Sequence, residues 1–409
     1  MANIQHNHIE LVFHKKPHIF TKISIFCVFF FCTFRQLRFI EALSLSDFFV
    51  ITALFLMLFD NSFELKSSIK TKFVLIVLFI LAYFSLTSIL VAEDPISSAT
   101  NFIKIAFAFI ILPFVIKSFM KVSYQPSKLY WAYVAGTIVA GLIDIFFPQT
   151  QIGERASGFT GHPVYNGILT SIAISIVLIY EYKNSIYRIF GYMILPLLIY
   201  ILLQSVSVTG ILIICTTLVI WITFSFRFGN IRRVIPLVIL ILMSVSYVWN
   251  SAFFLPTKNR ILLNFNPKTG YSLNASSGIS TVDARLFSIT EGWVRIQESW
   301  IFGHGLDSAG RLTSVNLEPH NIFILGWQTG GILLLFLGIL FFLFSLLLFF
   351  KAYKLRAHLE ASMICSTWIS LLSSPLIYER SILPTFFVAI YSIQRVLKQK
   401  ISVISKPVF

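Results

Sequence analysis

The strongest constraint on this chain is the recurrence, from end to end, of apolar runs close to twenty residues long. Hydrocarbon offers no water to backbone N–H and C=O groups, so runs of that length must close their hydrogen bonds within each segment, which selects the α-helix. Hydrophobic residues make up 57% of the 409 and charged residues only 12%, the composition of a membrane protein. The expected fold is all-α, a polytopic transmembrane helix bundle. Spans fall near 19–34, 41–60, 72–92, 101–120, 129–147, 163–181, 189–204, 208–226, 232–250, 321–350, 360–376 and 382–396. The apolar stretch Gly191–Phe226 is too long for one span, and dividing it at Gln204, Ser205, Ser207, Thr209 and Gly210 brings the number to about twelve.

A net charge of +15 would suit a nucleic-acid binder, but its placement follows the membrane. Lys15, Lys16 and Lys22 precede the first span. Lys66, Lys70 and Lys72, then Lys117, Lys121 and Lys128, then Lys183 and Arg188 occupy alternate loops. Arg227, Arg232, Arg233, Lys351, Lys354, Arg356, Lys398 and Lys400 continue the alternation, which assigns both termini to the cytoplasm. Arg35 and Arg38 are exceptions in the first hairpin. No nucleic-acid partner is expected.

That orientation puts residues 92–100, 148–162, 204–210, 251–319 and 374–381 outside, with Arg155, Arg285, Arg295, Arg311 and Arg380 among them. Arginines kept against the topological bias have two explanations, salt bridging or snorkelling on one hand and binding of an anionic substrate such as a diphosphate on the other. The chain reads as residues 1–250 with about nine spans, a polar outer segment 251–320, and 321–409 with about three spans and a cytoplasmic tail. Cys27, Cys32, Cys215 and Cys365 all fall in spans, which leaves no outer disulfide framework. The first apolar stretch lacks a small-residue cleavage site and is expected to be retained as a helix.

Chemistry is expected in the outer segments. The loop Gly153–Pro163 combines turn-forming glycines with Arg155 at a basic centre, and can present N–H groups to phosphate; an ordinary inter-helix loop explains it equally, with His162 structural or exposed. In the long segment, Leu286, Ile289, Trp293, Ile296 and Trp300 recur at spacings of three and four, which predicts an amphipathic helix from about Val282 to Trp300 at the membrane surface or over the bundle. Glu291 stands four residues before Arg295 and is its expected salt-bridge partner. Arg285 has no such partner and opposes the dipole at the helix start, which favours a functional role.

Gly303-His304-Gly305 reads as a flexible link, and His320-Asn321 opens a span of about thirty residues. A histidine at a helix N-terminus is kept neutral by the dipole, the condition for a general base, although Glu318 opposes this and His320 as a plain helix cap is the alternative. No His-x-x-x-His or Glu-x-x-His pair occurs, so no metal and no other cofactor is expected.

The order of these features resembles the O-antigen ligase and O-antigen polymerase superfamily. The residues concerned are Arg155, Gly158, Phe159, Pro163 and Asn166, then Asp283-Ala284-Arg285-Leu286, then Trp300-Ile301-Phe302-Gly303-His304-Gly305, then His320-Asn321 with ten residues between His320 and Gly331. The resemblance covers about residues 150–345. It implies a metal-independent glycosyltransferase of the bacterial inner membrane, working on the periplasmic face with a glycan carried on undecaprenyl diphosphate. His320 would then deprotonate the acceptor hydroxyl, while Arg285 and Arg155 would bind the diphosphate. Ligases transfer the chain to lipid A-core, and polymerases transfer it to the next lipid-linked repeat unit. Ligases often carry Ser-Arg-x-x-x-Leu between two spans, where this chain has Ser207-Val208-Thr209-Gly210-Ile211-Leu212. A lipid-linked oligosaccharide transporter is the rival from another class, since twelve spans with both ends inside is a common transporter layout. Against it stands the concentration of polar groups in one outer segment rather than in two related halves; Lys104 and Asp144 are the main ionisable residues within spans.

Overall fold

The computed structural model describes residues 17–34, 36–40, 43–59, 83, 90–147, 151–152, 155–156, 162–180, 185–227, 255, 258–259, 281–308, 319, 321–373 and 380–404. Most of the expected spans 72–92 and 232–250, and His320, lie outside these. The described chain is 85% helical. Its helices are α1 (Ile19–Phe31), α2 (Leu45–Phe59), α3 (Pro95–Val122), α4 (Pro126–Phe146), α5 (Pro163–Ile179), α6 (Ser185–Ser205), α7 (Val208–Arg227), α8 (Thr281–Glu298), α9 (Ile322–Leu355), α10 (His358–Ser373) and α11 (Leu383–Ile404). Two short hairpins interrupt them: β1 (Arg38–Ile40) with β2 (Leu43–Ser44), and β3 (Gln151–Ile152) with β4 (Arg155–Ala156). Pro95–Val122 and Ile322–Leu355 are long and apolar enough to cross a membrane.

Local chemistry explains the helix ends. Asp94 caps α3 by accepting from the Ile96 and Ser97 amides, with Pro95 at the first helical position. Within α3, a π-helical turn over Phe107–Ile111 precedes Pro113, whose ring cannot be seated in a regular ladder. The division of Gly191–Phe226 falls where the polar residues predict it. Val206 takes φ +49° and Ser207 accepts from the Gly210 amide, which starts α7.

α5 sits at the centre, buried along nearly its whole length between α4, α6, α7 and α10. Small residues permit this: a Cβ on Gly210 would lie 2.7 Å from the Gly167 carbonyl, and one on Gly136 would collide with the Phe30 carbonyl. Hydroxyls bridge the helices, with Ser175 and Ser362 each 2.9 Å from the Thr217 hydroxyl. The N-terminal ends of α2 and α11 are joined by Arg380 and Asp47, an ion pair at 2.6 Å with 13% and 2% of the side chains exposed. Arg380 thus has the salt-bridge explanation rather than the substrate one.

Expected as one span of about thirty residues, α9 is broken. Gly330 and Gly331 leave the helical region, with Gly331 at φ +65° and ψ −166°. The second segment, 332–355, is about 36 Å long at 1.5 Å per residue and is sufficient alone to match a bilayer core of about 30 Å. The first two turns form a separate piece.

Candidate functional site

The break in α9 frees backbone groups that must find partners elsewhere. They are supplied by the turn after α8. The amides of His304 and Gly305 donate to the carbonyls of Gln328 and Thr329 at 2.9 and 3.0 Å, and the Ile332 amide donates to the carbonyls of Trp300 and Ile301 at 3.1 and 3.2 Å. The Trp327 indole N–H reaches the Trp300 carbonyl at 2.9 Å, and the Tyr83 hydroxyl reaches the Ile301 carbonyl at 3.0 Å. Gly303-His304-Gly305 is therefore a staple rather than a flexible link. Its glycines have φ of +73° and +92°, and a Cβ on Gly303 would lie 2.7 Å from the Thr329 carbonyl.

The staple continues onto the start of α3. Ser98 accepts from the Leu306 amide at 3.1 Å, Asn101 donates to the Leu306 carbonyl at 2.8 Å, and Asp307 accepts from the Asp94 amide at 3.0 Å. One turn deeper, Lys104 donates to the Asn101 side chain at 3.1 Å.

α8 packs along the first turns of α9 with only part of its apolar face. Leu286, Trp293 and Trp300 are 57%, 47% and 52% exposed, whereas the buried stripe is Ser288, Gly292 and Ile296. The reason is space. A Cβ on Gly292 would be 3.0 Å from Ile324 and 3.1 Å from Pro319, so the absence of a side chain there lets α9 approach. Arg285 stands seven residues before Gly292, two helical turns or about 10 Å along the same stripe. Its side chain, like that of Arg155, lies outside the described atoms; Arg155 is in β4, whose neighbours are α4, α5 and α6. Arg295 pairs with Glu298 at 3.0 Å and not with Glu291, so the expected salt bridge forms with a different partner. The His304 imidazole Nε2 lies 2.8 Å from the Arg295 carbonyl, which requires the proton on that nitrogen.

The N-cap of α9 is Asn321, whose side-chain oxygen accepts from the Phe323 and Ile324 amides at 2.9 and 3.3 Å. The capping role considered for His320 is thus filled by its neighbour. His162, by contrast, is a cap: its Nδ1 accepts from the Val164 amide at 3.2 Å, in keeping with the structural reading.

One residue escaped the sequence reading. Gln328 is fully buried on α9, and among the described residues neither atom of its amide has a hydrogen-bond partner. Its Oε1 would lie 3.3 Å from a Cβ on Gly292, in the seam between α8 and α9 beside Pro319. A buried, unpaired amide costs about 1–3 kcal/mol, which marks Gln328 as a polar group in the seam with capacity for a further hydrogen bond. The available signal was its position as the single amide in the apolar run from Ile322 to Phe350. Among the described residues, no three His, Cys, Asp or Glu side chains converge as a metal site would require. No family model matches this chain, and no curated protein is significantly similar to it.

Proposed function

We propose that this chain is a multi-pass glycosyltransferase of the bacterial inner membrane, of the O-antigen ligase type, that moves a glycan from undecaprenyl diphosphate to lipid A-core. The observation that carries the reading is the packing of α8 along the first turns of α9. The helix holding Arg285 turns that residue's stripe toward α9, whose cap Asn321 directly follows His320. In this mechanism His320 takes the proton of the acceptor hydroxyl as it attacks the anomeric carbon. Arg285, with Arg155, stabilises the diphosphate as the glycosyl–oxygen bond breaks. Gln328 orients a saccharide hydroxyl, since an amide both donates to and accepts from such a group.

The twelve-span topology with an outer active site is supported by which segments meet. Outer segments and outer span ends join one another, as in Asp94 with Asp307 and Asp47 with Arg380. Inner span ends and loops do the same, as in Met120 with Arg395 and Phe224 with His358. The exposed apolar face of α8, with Leu286, Trp293 and Trp300, then lies in the outer membrane–water boundary, where tryptophan is favoured.

A polymerase acting on the next lipid-linked repeat unit is the second reading, favoured by one observation, valine at position 208 where ligases often carry arginine. The test is reconstitution of purified protein with an undecaprenyl-diphosphate-linked glycan, with and without lipid A-core, in the absence of divalent metal. Glycan on lipid A-core identifies a ligase; a ladder of longer lipid-linked chains without that acceptor identifies a polymerase. No product in either arm overturns both readings and returns the transporter.

A further inference from the structure

At the end of the bundle opposite the α8–α9 seam, the last turns of α3 and the middle of α11 enclose a cleft of about 250 Å³, lined by Lys117, Met120, Lys121, Tyr124, Tyr391, Gln394, Arg395 and Lys398. Four of these eight residues are cationic and none is acidic. Like charges drawn from two separate helices repel one another unless an anion sits between them. The positive-inside pattern accounts for the presence of Lys117, Lys121 and Lys398 near span ends, and the α3 dipole favours the first two near a helix C-terminus. Neither requires that cations from α3 and from α11 converge on one space, as Lys117, Lys121, Arg395 and Lys398 do.

The cleft is also built rather than merely charged. Arg395 donates to the Met120 carbonyl at 3.2 Å, and its guanidinium lies 4.2 Å from the centre of the Tyr124 ring. These contacts hold its plane in place and engage one of its five N–H groups. Among the described residues, no carboxylate forms an ion pair with Arg395, Lys117 or Lys398. Gln394 and the two tyrosines add neutral donors, while Met120 and the tyrosine rings supply an apolar wall. Guanidinium, ammonium and hydroxyl donors around one small volume match the oxygens of a phosphate group. A volume below the roughly 300–1,000 Å³ of drug-sized sites suits a headgroup whose chains remain in the bilayer.

We propose that this cleft binds the phosphate of an anionic phospholipid headgroup in the leaflet facing the basic loops. Lys117, Arg395 and Lys398 contact the phosphate oxygens, and Tyr124 and Gln394 the remaining headgroup atoms. The site is independent of glycosyl transfer and shares no residue with the α8–α9 seam.

The experiment uses the full-length protein in neutral detergent, mixed with phosphatidylglycerol or with phosphatidylcholine, bound lipid being counted by native mass spectrometry. A parallel series measures thermal stability in millimolar inorganic phosphate. Retention of one phosphatidylglycerol but not phosphatidylcholine, weakened about tenfold or more in Lys117→Gln/Lys398→Gln and unchanged in Lys128→Gln, supports a lipid site. Stabilisation by inorganic phosphate that the double variant loses, without lipid retention, keeps the phosphate site but assigns it to a soluble phosphate. Equal retention by the double variant, or equal weakening by Lys128→Gln, overturns the proposal, as does binding of neither probe. Because the double variant keeps Arg395, Tyr124 and Met120 in contact, its fold is expected to survive, and an unchanged elution profile checks this.

Discussion

A Cβ placed on Gly303 would lie 2.6 Å from the backbone nitrogen of Gly331, so the two glycines meet closely enough that their backbones form the joint between the turn after α8 and α9. This contact adds to the hydrogen bonds of His304, Gly305 and Ile332 in holding the turn after α8 to the break in α9.

Gly331→Ala is expected to be the most damaging single change at the joint. Its φ and ψ lie in a region tolerated almost only by glycine, a cost of about 1–3 kcal/mol, and the new methyl would overlap the Ile301 carbonyl. A lower melting temperature in detergent and faster proteolysis within 299–308 are the expected readouts. An unchanged melt would show that the joint does not stabilise the protein.

Breaking the ion pair between Asp47 on α2 and Arg380 just before α11 removes a buried charge partner. Asp47 also accepts from the Ser44 amide and hydroxyl at 2.7 Å, and Arg380→Ala removes the guanidinium from a carboxylate that is 98% buried. A loss of about 3–5 kcal/mol is expected for either single variant. Replacing both, as Asp47→Leu with Arg380→Met, should cost clearly less than the sum, and strict additivity in unfolding measurements would rule out the coupling.

Gln328→Leu separates stability from activity. Removal of the unpaired amide should leave the melting temperature unchanged or raise it, while glycan transfer falls by about tenfold or more. Full transfer by this variant would remove Gln328 from substrate binding.

His320→Ala and Arg285→Ala are expected to lower transfer by at least about a hundredfold at normal membrane abundance. Arg295→Ala, whose guanidinium is already paired with Glu298 on the surface, should stay within about twofold of wild type. Wild-type transfer by the first two variants, or equal loss in all three, would sink the site assignment.

Helix positions were legible in the sequence because they depend on local rules. Apolar runs, the Asp94-Pro95 cap and the polar interruption at Ser205–Ser207 each act over a few residues, and the helices from Ile19 to Ile404 start and stop close to where those signals fall. Arg295 as a paired residue and His162 as a structural one were likewise local matters.

What tertiary structure decided is everything that depends on which segment comes to lie beside which. The apolar period of α8 marked one face but left open whether it met the membrane surface or the bundle; close approach is governed by the smallest residue, and Gly292 set the stripe of Ser288, Gly292 and Ile296, with Arg285 in register, toward α9. The pair Gly330-Gly331 read as part of a continuous span, because a break is tolerated only when another segment supplies its hydrogen bonds, and that segment lies some thirty residues away at Trp300–Gly305. The unpaired amide of Gln328 and the convergence of Lys117 with Lys398 have the same origin. Periodicity records how a helix is made, whereas partners far apart in sequence are chosen by packing and by the requirement that no buried polar group be left alone.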